Sequence, residues 1–339
     1  MEKELCQPKT IQDAIKFFAD QDTCLQYMIP LRWPNGITCP FCDGVEHSFI
    51  ATRRIWRCKS CKKQFSIKHS SIMEDSPLGL DKWLVAMWLI INAKNGISSW
   101  ELHRSLGITQ KSAWFLAHRI RLAFQTGSFT VMSGQVEADE TFIGGKAANM
   151  HHDRREQLIQ GRGGVGKSIV MGILERREIE GASQMMATVI PDRSADTLQE
   201  QIYSTVEPGS AVSTDEWAGY NGLNEDYAHS AVNHSAGKYV IGDAHTNGCE
   251  NFWTLFKRCI KGTWVSVEDA HLHRYVTEQE FRFNERKGKD NDRFVKTVRN
   301  IGDKRLTYKQ LIERGSDLVG RRGRIPQRKQ DENAETDQP

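Results

Sequence analysis

The sequence has no apolar run long enough to cross a membrane. The longest, Trp83 to Ile91, has nine residues, against the roughly 20 that a spanning helix needs. The first ten residues, MEKELCQPKT, lack the apolar core of a secretory signal. Cysteine is scarce: eight among 339 residues are too few for a disulfide scaffold. These absences argue against a membrane-spanning or secreted protein and predict a cytoplasmic one. With 39% apolar and 26% charged residues, the balance is that of ordinary globular chains, and the length predicts two or three domains.

A net charge of +3 hides unlike parts. Residues 1–130 carry 17 Lys and Arg against 11 Asp and Glu, a net +6, whereas residues 131–260 carry a net −7 and residues 261–339 a net +4. Basic ends suit a polyanionic partner, and an acidic middle concentrates carboxylates.

Four of the cysteines are ordered. Cys39, Cys42, Cys58 and Cys61 form C-x2-C-x15-C-x2-C. Two residues between cysteines let one tight turn aim both thiolates at one ion, and two such knuckles complete a tetrahedral Zn²⁺ site. All four ligands are protein thiolates, so the zinc is predicted to be structural and to fold a small ribbon. Short strands are expected around Phe49–Ala51 and Arg54–Arg57. Cys6, Cys24, Cys249 and Cys259 have no partner at knuckle spacing. From Arg53 to Lys68 there are seven basic residues, Arg57, Lys62 and Lys63 among them, and no acidic one. Interleaved with Trp56 and Phe65, that run suits DNA phosphates.

A helix is expected from Leu80 to Ala93, with Asp81 as its cap. Next, Ser98 or Ser99 caps a short helix to Leu106, Gly107 turns the chain, and a second helix runs from near Thr109 to Phe124. Its apolar residues Ala113, Leu116, Ala117, Ile120 and Phe124 recur at helical spacing, leaving Lys111, His118, Arg119 and Arg121 for the outside. Helix, glycine turn, helix is the pattern of a DNA-binding helix-turn-helix, with Lys111 and Arg119 as candidate contacts.

Residues 161–168, GRGGVGKS, satisfy the phosphate-loop pattern letter for letter. The motif needs a strand before and a helix after it. HHDRREQLIQ precedes it, and SIVMGILERR, which reads as a strand, follows. No ATP site is expected.

In the acidic middle, Val136–Ile143, Ile169–Leu174 and Met185–Ile190 read as a three-strand meander. Ser194–Val206 reads as a helix and Ala211–Thr214 as a strand delivering Asp215. Glu250 opens a helix with an inward stripe of Phe252, Leu255, Phe256 and Cys259. The expected order is β-β-β-α-β-α. Asp139, inside an otherwise apolar strand, is poorly placed unless it lines a site. Three carboxylates from separate elements could hold two hard divalent cations, Mg²⁺ or Mn²⁺, and such a pair supports phosphoryl transfer.

The ribbon followed by VEADETFIGGK, VIPDRSADTL, STDEWAGYNGL, HTNGCENFWTLFKRCIKGTW and YVTEQEFRFNER resembles the ISXO-type insertion-sequence transposases. These are DDE enzymes with a ribonuclease H-like catalytic domain. The resemblance implies that Asp139, Asp215 and Glu250 are the catalytic acids and magnesium ligands, with 34 residues between the last two. It implies a DNA-binding role for Lys257, with Arg258 beside it. Some relatives carry Asn in the third position, which keeps Asn247 as an alternative. His245 either lines the site or is a surface histidine. The implied activity is cleavage at the terminal inverted repeats of a mobile element, with water as nucleophile, and transfer of the freed 3′-OH into target DNA. A homo-oligomer on paired ends is implied as well.

The expected fold class is therefore α+β multidomain. It comprises an N-terminal helical segment (1–36), a zinc ribbon (37–70), a helix-turn-helix-like segment (78–128) and a ribonuclease H-like domain with a mixed sheet (131–290). A basic C-terminal helix and a disordered tail (291–339) follow, the tail from about Arg314. The rival reading is a zinc-ribbon transcription regulator without catalysis, which gives no reason for the order of carboxylates. A bacterial, nucleoid-associated location follows from the transposase reading.

Overall fold

Side-chain caps set where the helices begin in the computed structural model, which describes residues 8–125, 131–144, 167–177, 182–232 and 245–313. Thr10 caps α1 (Ile11–Phe17) and Asp20 caps α2 (Gln21–Arg32), each accepting a backbone N–H of the first turn. For α3 (Leu80–Asn92) the cap differs from the expected one. Gly79 occupies the N-cap, Gln21 Oε1 accepts the Leu80 N–H at 3.0 Å, and Asp81 accepts from Gln21 Nε2 at 2.5 Å. A neighbouring helix thus caps α3.

The ribbon stands between α2 and α3, its strands β1 (His47–Ile50), β2 (Ile55–Cys58) and β3 (Gln64–Phe65) pairing antiparallel. Trp56 and Phe65 are buried and stack with ring centroids 5.9 Å apart, and Trp33 meets Trp56 edge-on at 5.3 Å. These two aromatics form the ribbon's small core and offer nothing to DNA. The basic run has to act without them.

Ser98 and Glu101 form a capping box at α4 (Ser99–Leu106), Gly107 turns at φ +61°, and Thr109 caps α5 (Gln110–Leu122). The helix pair is as expected, but the outer face of α5 is not. His118, Arg119 and Arg121 are buried. Arg119 donates to the Glu74 carbonyl and lies over the rings of Trp83 and Phe115, both at 5.3 Å. It is a packing residue, and its assignment to DNA is corrected.

The second half of the chain builds a five-stranded sheet in the order β6-β5-β4-β7-β8. Its strands are β4 (Gln135–Ile143), β5 (Ser168–Glu175), β6 (Gln184–Ile190), β7 (Ala211–Asp215) and β8 (Ala228–Val232). β4, β5 and β6 pair antiparallel, while β7 joins β4 and β8 joins β7 in parallel. This is the mixed sheet that the resemblance implies, with one strand more than expected. The order is β-β-β-α-β-β-α. β5 begins at Ser168, so a strand follows the phosphate-loop pattern, whose residues 161–166 lie outside the described ones. So do Cys6 and the chain from residue 314.

Each sheet face has its own apolar cluster. Val136, Ala138, Ile173 and Met186 pack with Leu198 and Ile202 of α6 (Ala195–Tyr203). Val170, Leu174 and Met185 pack on the other face with Phe252 and Phe256 of α7 (Asn247–Cys259) and Tyr275 and Val276 of α8 (Asp269–Asn284). After α8, the chain returns to the N-terminal helices. Phe294 of α9 (Asp290–Arg299) is fully buried beside Phe18 and Trp88, at 5.5 and 5.3 Å. A short α10 (Tyr308–Ile312) ends the described chain. No described helix is long and apolar enough to cross a membrane.

The helix-turn-helix pair and the sheet domain meet at a buried carboxylate. Glu278 of α8 is 1% exposed, pairs with Arg121 of α5 at 2.6 Å, and also holds Arg282. Arg121 lies 3.9 Å from the Tyr275 ring centroid. Removing one member of such a set leaves an uncompensated buried charge. Glu278→Ala is expected to destabilise the fold by about 3–5 kcal/mol, measured by urea unfolding. A loss under about 1 kcal/mol, typical of solvated pairs, would contradict this packing.

Candidate active site

Two centres emerge, one of sulfur and one of oxygen. In the ribbon, Sγ of Cys39 and Cys61 are 3.6 Å apart, as are those of Cys42 and Cys58. All four lie within 4.8 Å of one another. Four sulfurs about 2.3 Å from a tetrahedral Zn²⁺ would be about 3.8 Å apart, so the thiols fit the ion. The backbone N–H of Cys61, opposed by burial and helped by that of Ser60, brings Cys58 down to about 6. One thiolate is thus present at neutral pH. This is the structural zinc site, and among the described residues no other group of three or more metal-binding side chains is so closely gathered.

The oxygen centre begins with alternation along β4. Val136 and Ala138 face α6, while Glu137, Asp139 and Ile143 face α7. Asp139 pairs in register with Gly172 of β5. A Cβ on Gly172 would sit 2.8 Å from the Trp253 ring, so only glycine admits the indole there. Trp253 Nε1 then donates to Asp139 Oδ2 at 2.8 Å. Helix α7 is fixed at its start by Glu137, 1% exposed, which accepts the Cys249 N–H at 3.0 Å and Arg176 Nε at 2.6 Å. Gly248 allows this approach, since a Cβ there would lie 2.9 Å from Glu137 Oε2. Glu250 comes next in the chain. Asp139 and Glu250 consequently line one open cleft of about 340 Å³, together with Glu140, Thr141, Trp253, Thr254 and Lys257.

Asp215 ends β7, the parallel neighbour of β4. Glu137 pairs with Ser213, and Asp139 and Asp215 each lie two residues further along their strands. The two interact electrostatically. Burial first, then the charge of Glu140, raises Asp139 to about 7; the Trp253 bond opposes the rise and Asp215 adds to it. Glu140 also lines the cleft; Tyr220 Oη donates to it at 2.6 Å and Arg193 pairs with it. Its pKa is also raised, by burial first. Carboxylates crowded this way, with hard oxygen donors aimed at a cleft, are suited to divalent cations.

Of the expected DNA contacts, Lys257 lines the cleft two turns beyond Glu250, and the Asp139 charge supports its own charge against burial. Arg258 is exposed on the same helix, outside the cleft lining. Arg57, Lys62 and Lys63 are exposed on the ribbon, and exposed Lys111 on α5 lies 4.5 Å over the Tyr308 ring. Asn247 is exposed at the first position of α7, one turn before Glu250. His245 does not line the carboxylate cleft. Its Nδ1 meets Arg176 at 2.8 Å and Glu137 at 3.2 Å, in a second cleft of about 310 Å³ at the start of α7.

Sequence reasoning missed Glu137, Glu140, Arg176, Arg193 and Trp253. Trp253 carried a signal, one turn from Glu250 and one before Lys257 on the same helix face. Arg176 carried none, because its partners lie 39 and 69 residues away.

Comparison with known proteins adds the following. Residues 131–284 match the family model of the ISXO2-like transposase domain, and residues 19–64 that of the transposase zinc-ribbon domain. The chain is 26% identical over 267 residues to a protein in transposable element ISH50 of Halobacterium salinarum, covering 74% of this chain and 85% of that one. It is 30% identical over 102 residues to a transposase-like protein of Haemophilus influenzae, covering 30% of this chain and 81% of that one.

Purified protein is expected to hold one Zn²⁺ per chain, and Cys39→Ser to release it and expose residues 39–65 to protease. Undiminished zinc in that variant would refute the four-thiolate site. A second expectation concerns pH. The Asp139 carboxyl, 3.8 when unperturbed, stands near 7 in the fold. Between those values the folded metal-free chain keeps a proton that the unfolded chain has lost. Stability therefore falls as pH rises from about 4 to 7, and the penalty is complete above that. Asp139→Asn should stabilise the metal-free protein by on the order of 2–4 kcal/mol at about pH 8 and by nothing at about pH 4. Thermal melts at both pH values check this, and equal shifts at both would contradict it.

Proposed function

This chain belongs to the ISXO2-like transposase family, and we propose that it cuts DNA at the ends of its own insertion sequence and joins them to target DNA. In this reading Asp139, Asp215 and Glu250 are the catalytic carboxylates. The observation that carries it is the shared cleft, where Asp139 from the sheet and Glu250 from α7 face each other beside Lys257.

The three carboxylates would hold Mg²⁺ or Mn²⁺, which when bound supplies positive charge for the attacking and leaving oxygens of an in-line displacement. The chain's own groups do the rest. Trp253 fixes the orientation of Asp139, Glu137 fixes the turn that carries Glu250, and Lys257 holds the strand through a phosphate. Water attacks one phosphodiester, and the freed 3′-OH attacks another, so no side chain becomes covalently attached. The ribbon, through Arg57, Lys62 and Lys63, and the helix pair, through Lys111, hold the terminal repeat outside the cleft. Arg258 adds a phosphate contact beside Lys257. Joining two ends calls for more than one copy, so a homo-oligomer on paired ends is part of the proposal.

Incubating the protein with the DNA flanking its own reading frame and Mg²⁺, then mapping nicks, tests the reaction. Asp139→Asn, Asp215→Asn and Glu250→Gln should each lower cleavage at least about a thousandfold while leaving end binding within about threefold, since binding acts through phosphates elsewhere. Normal cleavage by Glu250→Gln with loss in Asn247→Ala would move the third role to Asn247. Cleavage retained by all three variants would leave a ribbon-type DNA-binding regulator as the better reading.

A further inference from the structure

Next to Glu140 and Asp215, outside the lining of the carboxylate cleft, lies a cation that no step above uses. Arg193 lies in the connection from β6 to α6, and its guanidinium lies over two aromatic rings, 4.0 Å from the centroid of Trp217 and 5.5 Å from that of Phe142. Trp217 ties this connection to the end of β7. Its indole Nε1 donates to the Arg193 carbonyl at 3.0 Å, and its backbone N–H donates to Asp215 Oδ1 at 3.0 Å. Arg193 Nη2 pairs with Glu140 and stands 4.0 Å from Asp215 Oδ2. Lys257, Asp139, Asp215 and Arg193 thus follow one another across the site, a cation at each end.

Neutralising Glu140 does not account for this arrangement. Tyr220 already donates to Glu140 at 2.6 Å, and a buried carboxyl could be served by a smaller partner. A guanidinium offers five N–H groups in a rigid fork that matches two phosphate oxygens. Here the side chain keeps 22% of its surface exposed and Trp217 43% of its own, so a nucleic-acid strand can reach both. Stacking on two rings presets the orientation of the fork, which lowers the entropy lost on binding.

We infer that Arg193, steadied by Trp217, binds a DNA backbone phosphate next to the reacting one, so that the strand crosses the carboxylates between Lys257 and Arg193. The inference rests on the transposase reading of the same cleft.

A binding cycle tests it. End duplexes, each with one neutral methylphosphonate near the cleavage position, are titrated with the full chain and with its Arg193→Ala and Arg193→Lys variants, without Mg²⁺. For unmodified DNA, Arg193→Ala should weaken binding about tenfold, reduce the salt slope by about 1, and be partly rescued by Arg193→Lys. At one or two positions the methylphosphonate should weaken wild-type binding but leave Arg193→Ala unaffected. Losses that add at every position, or an unchanged salt slope, would overturn the phosphate contact and leave Arg193 as a prop for Glu140. Should Arg193→Ala fail to fold, Trp217→Ala, which keeps the charge but removes the stack, must weaken the same coupling. Wild-type cleavage in Mg²⁺ is scored separately. Cleavage without coupling sinks only the role of Arg193, whereas no cleavage sinks the transposase reading itself.

Discussion

A carboxylate buried to 1% exposure must be paired, and Glu137 meets that demand in a way that shapes the whole site. It accepts hydrogen bonds from the guanidinium of Arg176, just past the end of β5, and from a backbone N–H in the first turn of α7, where the positive end of the helix dipole favours an anion. That single group fixes where α7 starts relative to β4. Two residues along the strand stands Asp139, and one residue beyond the bonded N–H stands Glu250. The indole of Trp253, seated against Gly172, then fixes the angle of the helix. The cleft between the two carboxylates is a consequence of these contacts.

A comparable demand joins the two halves of the molecule. Arg121, Glu278 and Arg282 are buried together where α5 meets α8, and Phe294 returns from the C-terminal side to the core of the N-terminal helices. The helix pair expected to hold DNA is therefore not tethered loosely to the sheet domain. It shares a desolvated ion cluster with the helix that covers the sheet.

Features encoded within a few residues were legible in the sequence. The cysteine knuckles, the serine cap at Ser98 or Ser99, the turn at Gly107 and the meander around Asp139 all depend on neighbours one to four positions away or on strand period. Features set by distant partners were not. Helical spacing left His118, Arg119 and Arg121 outside α5, because nothing local announces that α8, more than 150 residues on, covers His118 and Arg121, or that Glu74 and Trp83 cover Arg119. Trp56 and Phe65 read as a nucleic-acid platform until their pairing across β2 and β3 placed them in the ribbon core. β8 escaped notice because AHSAV is short and mostly exposed at a sheet edge, with no clean alternation. Within the site, Asp139, Asp215, Glu250 and Lys257 were named from motifs, whereas Glu137, Arg176 and Arg193, which hold the surroundings in place, depend on contacts that spacing cannot show.

In the proposed divalent-cation site, Asp139 and Glu250 come from the cleft lining and Asp215 from the end of β7. Diffraction from crystals of the full chain soaked in Mn²⁺, recorded at the manganese edge, tests it most directly. Anomalous density is expected between the Asp139 and Asp215 carboxylates and within reach of Glu250, with zinc density confined to the four cysteines. Manganese elsewhere, or bound by Glu140 in place of Asp139, would contradict the account.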